Sequence, residues 1–160
     1  MKIVITENQF KKLKEPKVLH IPSFEIFGND WGRMQRYLDR KGNPPYSVGG
    51  NLNLEYTSIQ SLGNLTSVEG NLNLYGSPIQ SLGNLTSVGG YLDLRHTPIK
   101  SLGNLTSVGS YLDLENTPIK SLGNLKSVVG SLFLRNTPIS KKHSEQEIKQ
   151  MVNIEGDIYL

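Results

Sequence analysis

The sequence predicts a repeat solenoid of the α+β class, in which parallel β-strands stack coil upon coil between helical caps. Three observations predict it. Residues 47–140 repeat with a period of 20, every copy carries a Leu-x-Leu strand pattern, and both flanks carry helix-capping signals in place of the repeat. We therefore divide the 160 residues into an N-terminal α/β cap at 1–46, five repeats at 47–140 and a C-terminal helix-and-strand cap at 141–160.

Each repeat has six apolar columns. In the third copy they are Val88, Leu92, Leu94, Ile99, Leu102 and Leu105. The first four copies fill these columns with Val, Leu or Ile, and the fifth keeps them as far as Ile139. The period of two in Leu-x-Leu points both leucines to one side of a strand. A strand that recurs every 20 residues cannot form a hairpin with its neighbour, so we expect parallel stacking.

The N-terminal flank predicts a cap of one strand and two helices. Ile3, Val4 and Ile5 are typical of a short strand, and Thr6 with Gln9 has capping-box spacing for a helix that buries Phe10 and Leu13. Asp30 is placed to cap a second helix, whose apolar face holds Met34, Tyr37 and Leu38. The run Gly42-Asn43-Pro44-Pro45 then separates this helix from the first coil.

The C-terminal flank predicts a helix followed by a last strand. Ser144 and Glu147 have capping-box spacing, and Ile148, Met151 and Val152 are predicted to share one helical face. Residues 154–160 then repeat the form of residues 68–74, so we expect a strand at 158–160 that covers the fifth coil.

The repeat resembles leucine-rich repeats. A Leu-x-Leu strand is followed by a small polar residue at Thr97 and an aliphatic residue at Ile99. The Val-Gly-Gly-x-Leu-x-Leu form is similar to the 20-residue repeats of uncharacterised bacterial and phage proteins, and it covers residues 47–140 and 154–160. The resemblance implies a leucine-rich-repeat-like parallel coil.

Two departures leave the curvature of the coil open. Where the family has Asn, this chain has Thr57, Ser77, Thr97, Thr117 and Thr137. The gap from Val88 to Leu92 is also one residue longer than the usual pattern, an arrangement shared with receptor L domains. The alternative to a curved horseshoe is therefore a straighter β-solenoid, in which residues 101–108 form a second short strand or a 3₁₀ turn.

Composition excludes several classes of protein. The chain has no cysteine, which excludes disulfides and thiolate metal sites. Its apolar runs are short, and residues 1–13 are charged where a signal peptide needs an apolar core. We therefore expect no membrane association and a cytoplasmic protein or virion component.

No motif predicts catalysis, a cofactor or a metal. His20, His96 and His143 lack paired spacing, and neither a Gly-x-Ser-x-Gly elbow nor a phosphate-binding loop is present. Asn64, Asn84 and Asn104 begin Asn-Leu-Thr, which matches a glycosylation acceptor, whereas Asn124 in the same column begins Asn-Leu-Lys. We interpret this column instead as a stacked turn whose amides bond to the next coil. We expect a protein that is not an enzyme.

A nucleic-acid partner is also not expected. The candidate basic segment of the N-terminal flank consists of Lys11, Lys12, Lys14 and Lys17 together with Arg33, Arg36 and Arg40. They are not interleaved with aromatic residues, and residues 47–140 carry equal numbers of basic and acidic side chains. Solvated helix faces account for such a pattern.

The candidate binding site is the outward face of the predicted strands, where three columns vary. These columns are Asn51, Asn71, Tyr91, Tyr111, Ser131; Asn53, Asn73, Asp93, Asp113, Phe133; and Glu55, Tyr75, Arg95, Glu115, Arg135. Tyr, Phe and Arg are enriched at protein interfaces, although variation alone is also what an unconstrained surface shows. The candidate partner-binding residues are Tyr75, Tyr91, Asp93, Arg95, Tyr111, Asp113, Phe133 and Arg135.

Asp93 and Asp113 are predicted to be neighbouring like charges, which Arg95, Arg135 or a basic partner group would relieve. We expect a non-catalytic protein–protein interaction module that binds a protein partner through this face. The alternative is a structural or assembly component, for example of a phage virion, that uses its caps and sheet edge.

Overall fold

The computed structural model describes residues 6–7 and 17–160. The strand predicted at Ile3–Ile5 and the helix predicted to bury Phe10 and Leu13 lie outside the described residues.

Two parallel sheets form the body of the molecule. The first sheet contains, in spatial order, Leu19–Ile21, Tyr46–Val48, Leu65–Val68, Ser87–Val88, Ser107–Val108, Ser127–Val128 and Asn153–Ile154. The second sheet contains Leu52–Asn53, Leu72–Asn73, Leu92–Asp93, Leu112–Asp113, Leu132–Phe133 and Ile158–Tyr159. Each coil supplies one short strand to each sheet. The repeat solenoid is confirmed, and so is the second strand that the straighter alternative expected.

The core consists of the apolar columns stacked in register. Leu52, Leu72, Leu92, Leu112 and Leu132 pair in sequence along the second sheet, and Ile158 ends the row. The leucines of this row are 0% exposed. The buried ladder predicted from the 20-residue register is therefore confirmed.

Glycines form the corner between the two strands of the third and fourth coils. A Cβ at Gly89 would overlap the carbonyl oxygen of Glu69 in the preceding coil, and one at Gly109 would overlap that of Gly89. The backbones of successive coils come too close here for a side chain in this conformation. The Gly after Val in these coils is thus a requirement of close stacking.

Polar side chains close the turns. Thr97 Oγ1 donates to the Leu94 carbonyl oxygen at 2.7 Å, and the equivalent residue does the same in every copy. A hydroxyl therefore bonds locally at the position where leucine-rich repeats have Asn. Asn124 Nδ2 donates to the carbonyl oxygen of Gly103 in the preceding coil at 3.0 Å. The predicted stacked-turn role of this Asn column is confirmed.

The N-terminal end of the solenoid is covered by a 3₁₀ helix, Phe24–Phe27, and by α1, Trp31–Arg40. Asp30 caps α1, since its Oδ1 accepts the Arg33 backbone N–H at 2.9 Å. Met34 and Leu38 are fully buried, and Tyr37 packs against the core while half-buried. The helix predicted from Asp30 is confirmed.

The C-terminal end is covered by α2, Glu145–Met151, which begins with the predicted capping box of Ser144 and Glu147. Ile148 and Val152 are buried, whereas Met151, the last residue of the helix, is 49% exposed. The prediction that Val152 lies on the same helical face is wrong, because the helix ends at Met151 and Val152 has an extended backbone with φ −140°. Strands Asn153–Ile154 and Ile158–Tyr159 then extend the first and the second sheet. The second of them confirms the predicted last strand. In the described part of the chain, no helix has the length and apolarity to cross a membrane.

Replacing Leu92 by Ala should lower the free energy of unfolding by about 2–5 kcal/mol, because the cavity lies in a fully packed row. Chemical denaturation measures this loss. Lys100→Ala, at an exposed position of the same coil, is the control. An unchanged midpoint for Leu92→Ala would contradict the register.

Deleting residues 141–160 should expose the apolar end of the coil stack and cause aggregation or oligomerisation. Size-exclusion chromatography with light scattering tests this. A truncated chain that remains a monomer of undiminished stability would place the cap elsewhere.

Candidate functional site

The outward columns of the second sheet form what we call the strand face. They are the columns of Asn51, Asn53 and Glu55, with their equivalents at 20-residue intervals to residue 135, together with Tyr159. The register places every predicted site residue on it: Tyr75, Tyr91, Asp93, Arg95, Tyr111, Asp113, Phe133 and Arg135.

Four aromatic rings run along this face as a continuous row. Tyr91 and Tyr111 are stacked at 4.8 Å between ring centroids with an interplanar angle of 6°. Tyr111 meets Phe133 edge-on at 6.1 Å, and Phe133 stacks on Tyr159 at 4.6 Å. We call these four residues the aromatic row. Same-column neighbours in stacked coils produce the two parallel stacks, as predicted for Tyr91 and Tyr111.

A second aromatic cluster lies beside the row. Tyr75 packs edge-on against Tyr56 at 5.1 Å and against His96 at 5.4 Å. The Arg95 guanidinium lies over the Tyr75 ring at 4.9 Å. Tyr56 and His96 adopt left-handed backbone conformations, with φ of 53° and 56°.

Sequence reasoning missed Tyr56, His96 and Tyr159. Tyr56 and His96 occupy a turn column that is Gly76 in the second copy, and a glycine there is a usable signal for a left-handed turn. Tyr159 aligns with Phe133 when residues 154–160 are put in the repeat register. That alignment was available in the sequence.

Between the two aromatic groups lies a cluster of three charges. Arg95 Nη2 contacts Asp93 Oδ2 at 2.6 Å, and Arg95 Nε contacts Asp113 Oδ2 at 3.3 Å. Asp93 is 3% exposed and Asp113 8% exposed, although both point outward. Arg95 thus relieves the repulsion between the aspartates, as predicted.

The predicted role of Arg135 needs correction. It contacts Glu115 at 3.6 Å, and its guanidinium lies over the Tyr159 ring at 5.4 Å. Arg135 belongs to the fifth coil, one coil after that of Asp113. The position that Asp113 occupies in the fourth coil is Phe133 in the fifth. The contacts of Arg135 therefore do not involve the aspartate pair.

Burial governs the titration of this cluster. It raises the pKa of Asp113 to about 6, and the nearby Asp93 charge acts in the same direction. The backbone N–H of Glu115 and the charge of Arg95 act against this rise. The hydrogen bond to Asp93 raises the pKa of Arg95, so this side chain stays charged. Burial also raises the pKa of Tyr111.

The outward surface of the first sheet is chemically different. A groove of about 390 Å³ runs along it, lined by Ser67, Ser87, Ser107, Ser127 and neighbouring residues without an aromatic ring. Within the part of the chain that the structure describes, every ring-to-ring contact on the second sheet's side of the solenoid includes at least one residue of the strand face. Also within residues 6–7 and 17–160, no three His, Cys, Asp or Glu side chains are grouped to hold a metal ion.

No protein-family model matches the chain, and no curated protein or solved structure matches it.

The pH dependence of stability should reveal Asp113. A carboxyl whose pKa is raised by folding binds its proton more tightly in the native state than in the unfolded state. The contribution of Asp113 to the free energy of unfolding therefore falls as pH rises from about 3.8 to about 6. Across that window, wild type should lose about 1–3 kcal/mol more of its free energy of unfolding than Asp113→Asn does. Urea denaturation at several pH values measures the difference. Identical pH profiles for the two proteins would contradict the raised pKa.

Proposed function

We propose that this protein is a non-catalytic interaction module of the leucine-rich-repeat-like kind, which binds a protein partner through the strand face. The observation that carries the proposal is the aromatic row: four rings that contact one another across successive coils. Its members are half-buried, and the Arg135 guanidinium lies over the ring of Tyr159, so the face combines the residue types that dominate interface energetics.

The row is also held in place before any partner arrives. Tyr91 is packed against Tyr111, and Phe133 is packed between Tyr111 and Tyr159. Side chains already restricted by packing lose little conformational entropy on binding, which favours affinity. The Leu-x-Leu strands and the 20-residue period support the leucine-rich-repeat-like assignment. We place the module in the cytoplasm or in a virion.

The test replaces Tyr91 and Tyr111 by Ser and measures co-purification of the native partner. We expect binding to weaken at least tenfold, since interface residues of this type cost about 2 kcal/mol or more each when truncated. Circular dichroism checks that the fold survives. The matched control is Lys100→Ser with Lys120→Ser, which changes exposed residues of the same two coils.

The assembly hypothesis predicts the opposite result. If the caps and the sheet edge carry the interaction, the tyrosine variant binds as wild type does, and changes at exposed cap residues such as Met151 abolish association. Wild-type affinity in the tyrosine variant would refute the strand-face proposal.

A further inference from the structure

We infer that the partner of the strand face presents a cationic surface, with arginine or lysine side chains directed at the third and fourth coils. This inference rests on the proposed function and adds the chemistry of the partner.

The fold does not need the negative charges of Asp93 and Asp113. In each of the first four coils, a side-chain oxygen of this column accepts the backbone N–H two residues later. Asn53 and Asn73 make this bond at 3.1 and 3.0 Å, and Asp93 and Asp113 make it at 3.0 and 3.1 Å. Asparagine therefore closes the same turn without a charge. The turns of the third and fourth coils therefore do not require the negative charge of a carboxylate.

The neighbouring outward column, that of Asn51, changes in the same two coils. Asn51 Oδ1 accepts the backbone N–H of Asn71 at 2.9 Å, and Asn71 Oδ1 accepts that of Tyr91 at 3.0 Å. This amide ladder ends at Tyr91, where tyrosines replace the asparagines. Aromatic area and negative charge thus enter the strand face together, next to each other.

The strand face carries more acidic than basic side chains. The outward columns at positions 51–55 through 131–135 carry four carboxylates, Glu55, Asp93, Asp113 and Glu115, against two guanidinium groups, Arg95 and Arg135. The strand face therefore has a negative net charge, whereas the chain as a whole has a net charge of +3. Oppositely charged surfaces attract and orient each other, which makes a cationic partner the complementary one.

The negative charge without a full counter-charge is concentrated at Asp113. One arginine serves both aspartates, and its shorter contact, 2.6 Å, goes to Asp93. Nearly buried carboxylates without a full counter-charge are costly, and a cation from a partner reduces that cost. The rings on this face already accept guanidinium groups of the chain itself, Arg95 over Tyr75 and Arg135 over Tyr159. A partner arginine beside Tyr91 and Tyr111 would make the same kind of contact.

The test titrates the full chain with a capped triarginine peptide and, separately, with a capped triglutamate peptide, and follows amide NMR signals of coils three and four. We expect triarginine to bind, to be displaced by salt, and to bind about five- to tenfold more weakly to Asp113→Asn. Asn is the residue of the first two coils in this column, so the variant keeps the turn. Glu69→Gln, at an exposed corner of the first sheet, is the control for an equal change of charge.

Three results would overturn the inference: no triarginine binding, equally strong triglutamate binding, or a loss no larger in Asp113→Asn than in Glu69→Gln. The recovered native partner separates the two proposals. If Tyr91→Ser with Tyr111→Ser abolishes its binding while Asp113→Asn binds it as wild type does, the strand-face proposal stands and the cationic partner is refuted. If Asp113→Asn weakens binding and Glu69→Gln does not, both are supported.

Discussion

The structure depends on one constraint: each of the five repeat coils must hydrogen-bond to its neighbouring repeats in the same 20-residue register. Along the second sheet, Leu72, Leu92 and Leu112 donate their backbone N–H groups to the carbonyl oxygens of Tyr91, Tyr111 and Ser131, at 2.9–3.0 Å. With this register set, each column of the sequence becomes a row in space. Apolar columns then form the core, and outward columns form the strand face.

The same constraint determines the chemistry of the face, favourable and unfavourable. It stacks Tyr91 on Tyr111, which packs two rings together and restricts both. It also brings Asp93 beside Asp113, and Arg95, which contacts both carboxylates, reduces the repulsion between them. A surface built by register cannot adjust the spacing of its groups. The residual charge and the aromatic area therefore stay at fixed positions on the strand face.

The sequence predicts the parts of the structure that periodicity controls. The buried leucine row, the stacked turn asparagines and the stacking of Tyr91 on Tyr111 all follow from counting in steps of 20. Periodicity does not predict how much each outward side chain is buried by its neighbours or which of them it contacts. The burial of outward Asp113 and the contact of Arg135 with Glu115 therefore had to be seen in three dimensions. Val152 was misplaced on the helical face because the helix ends at Met151, and helical spacing does not apply beyond that residue.

The central claim is the register itself, because both the core and the strand face follow from it. Its most direct test is an NMR measurement of scalar couplings across backbone hydrogen bonds, which identify the carbonyl that each amide bonds to. The account predicts that the amide nitrogens of Leu72 and Leu92 couple to the carbonyl carbons of Tyr91 and Tyr111. Coupling of these amides to carbonyls at any other offset in the sequence would contradict it.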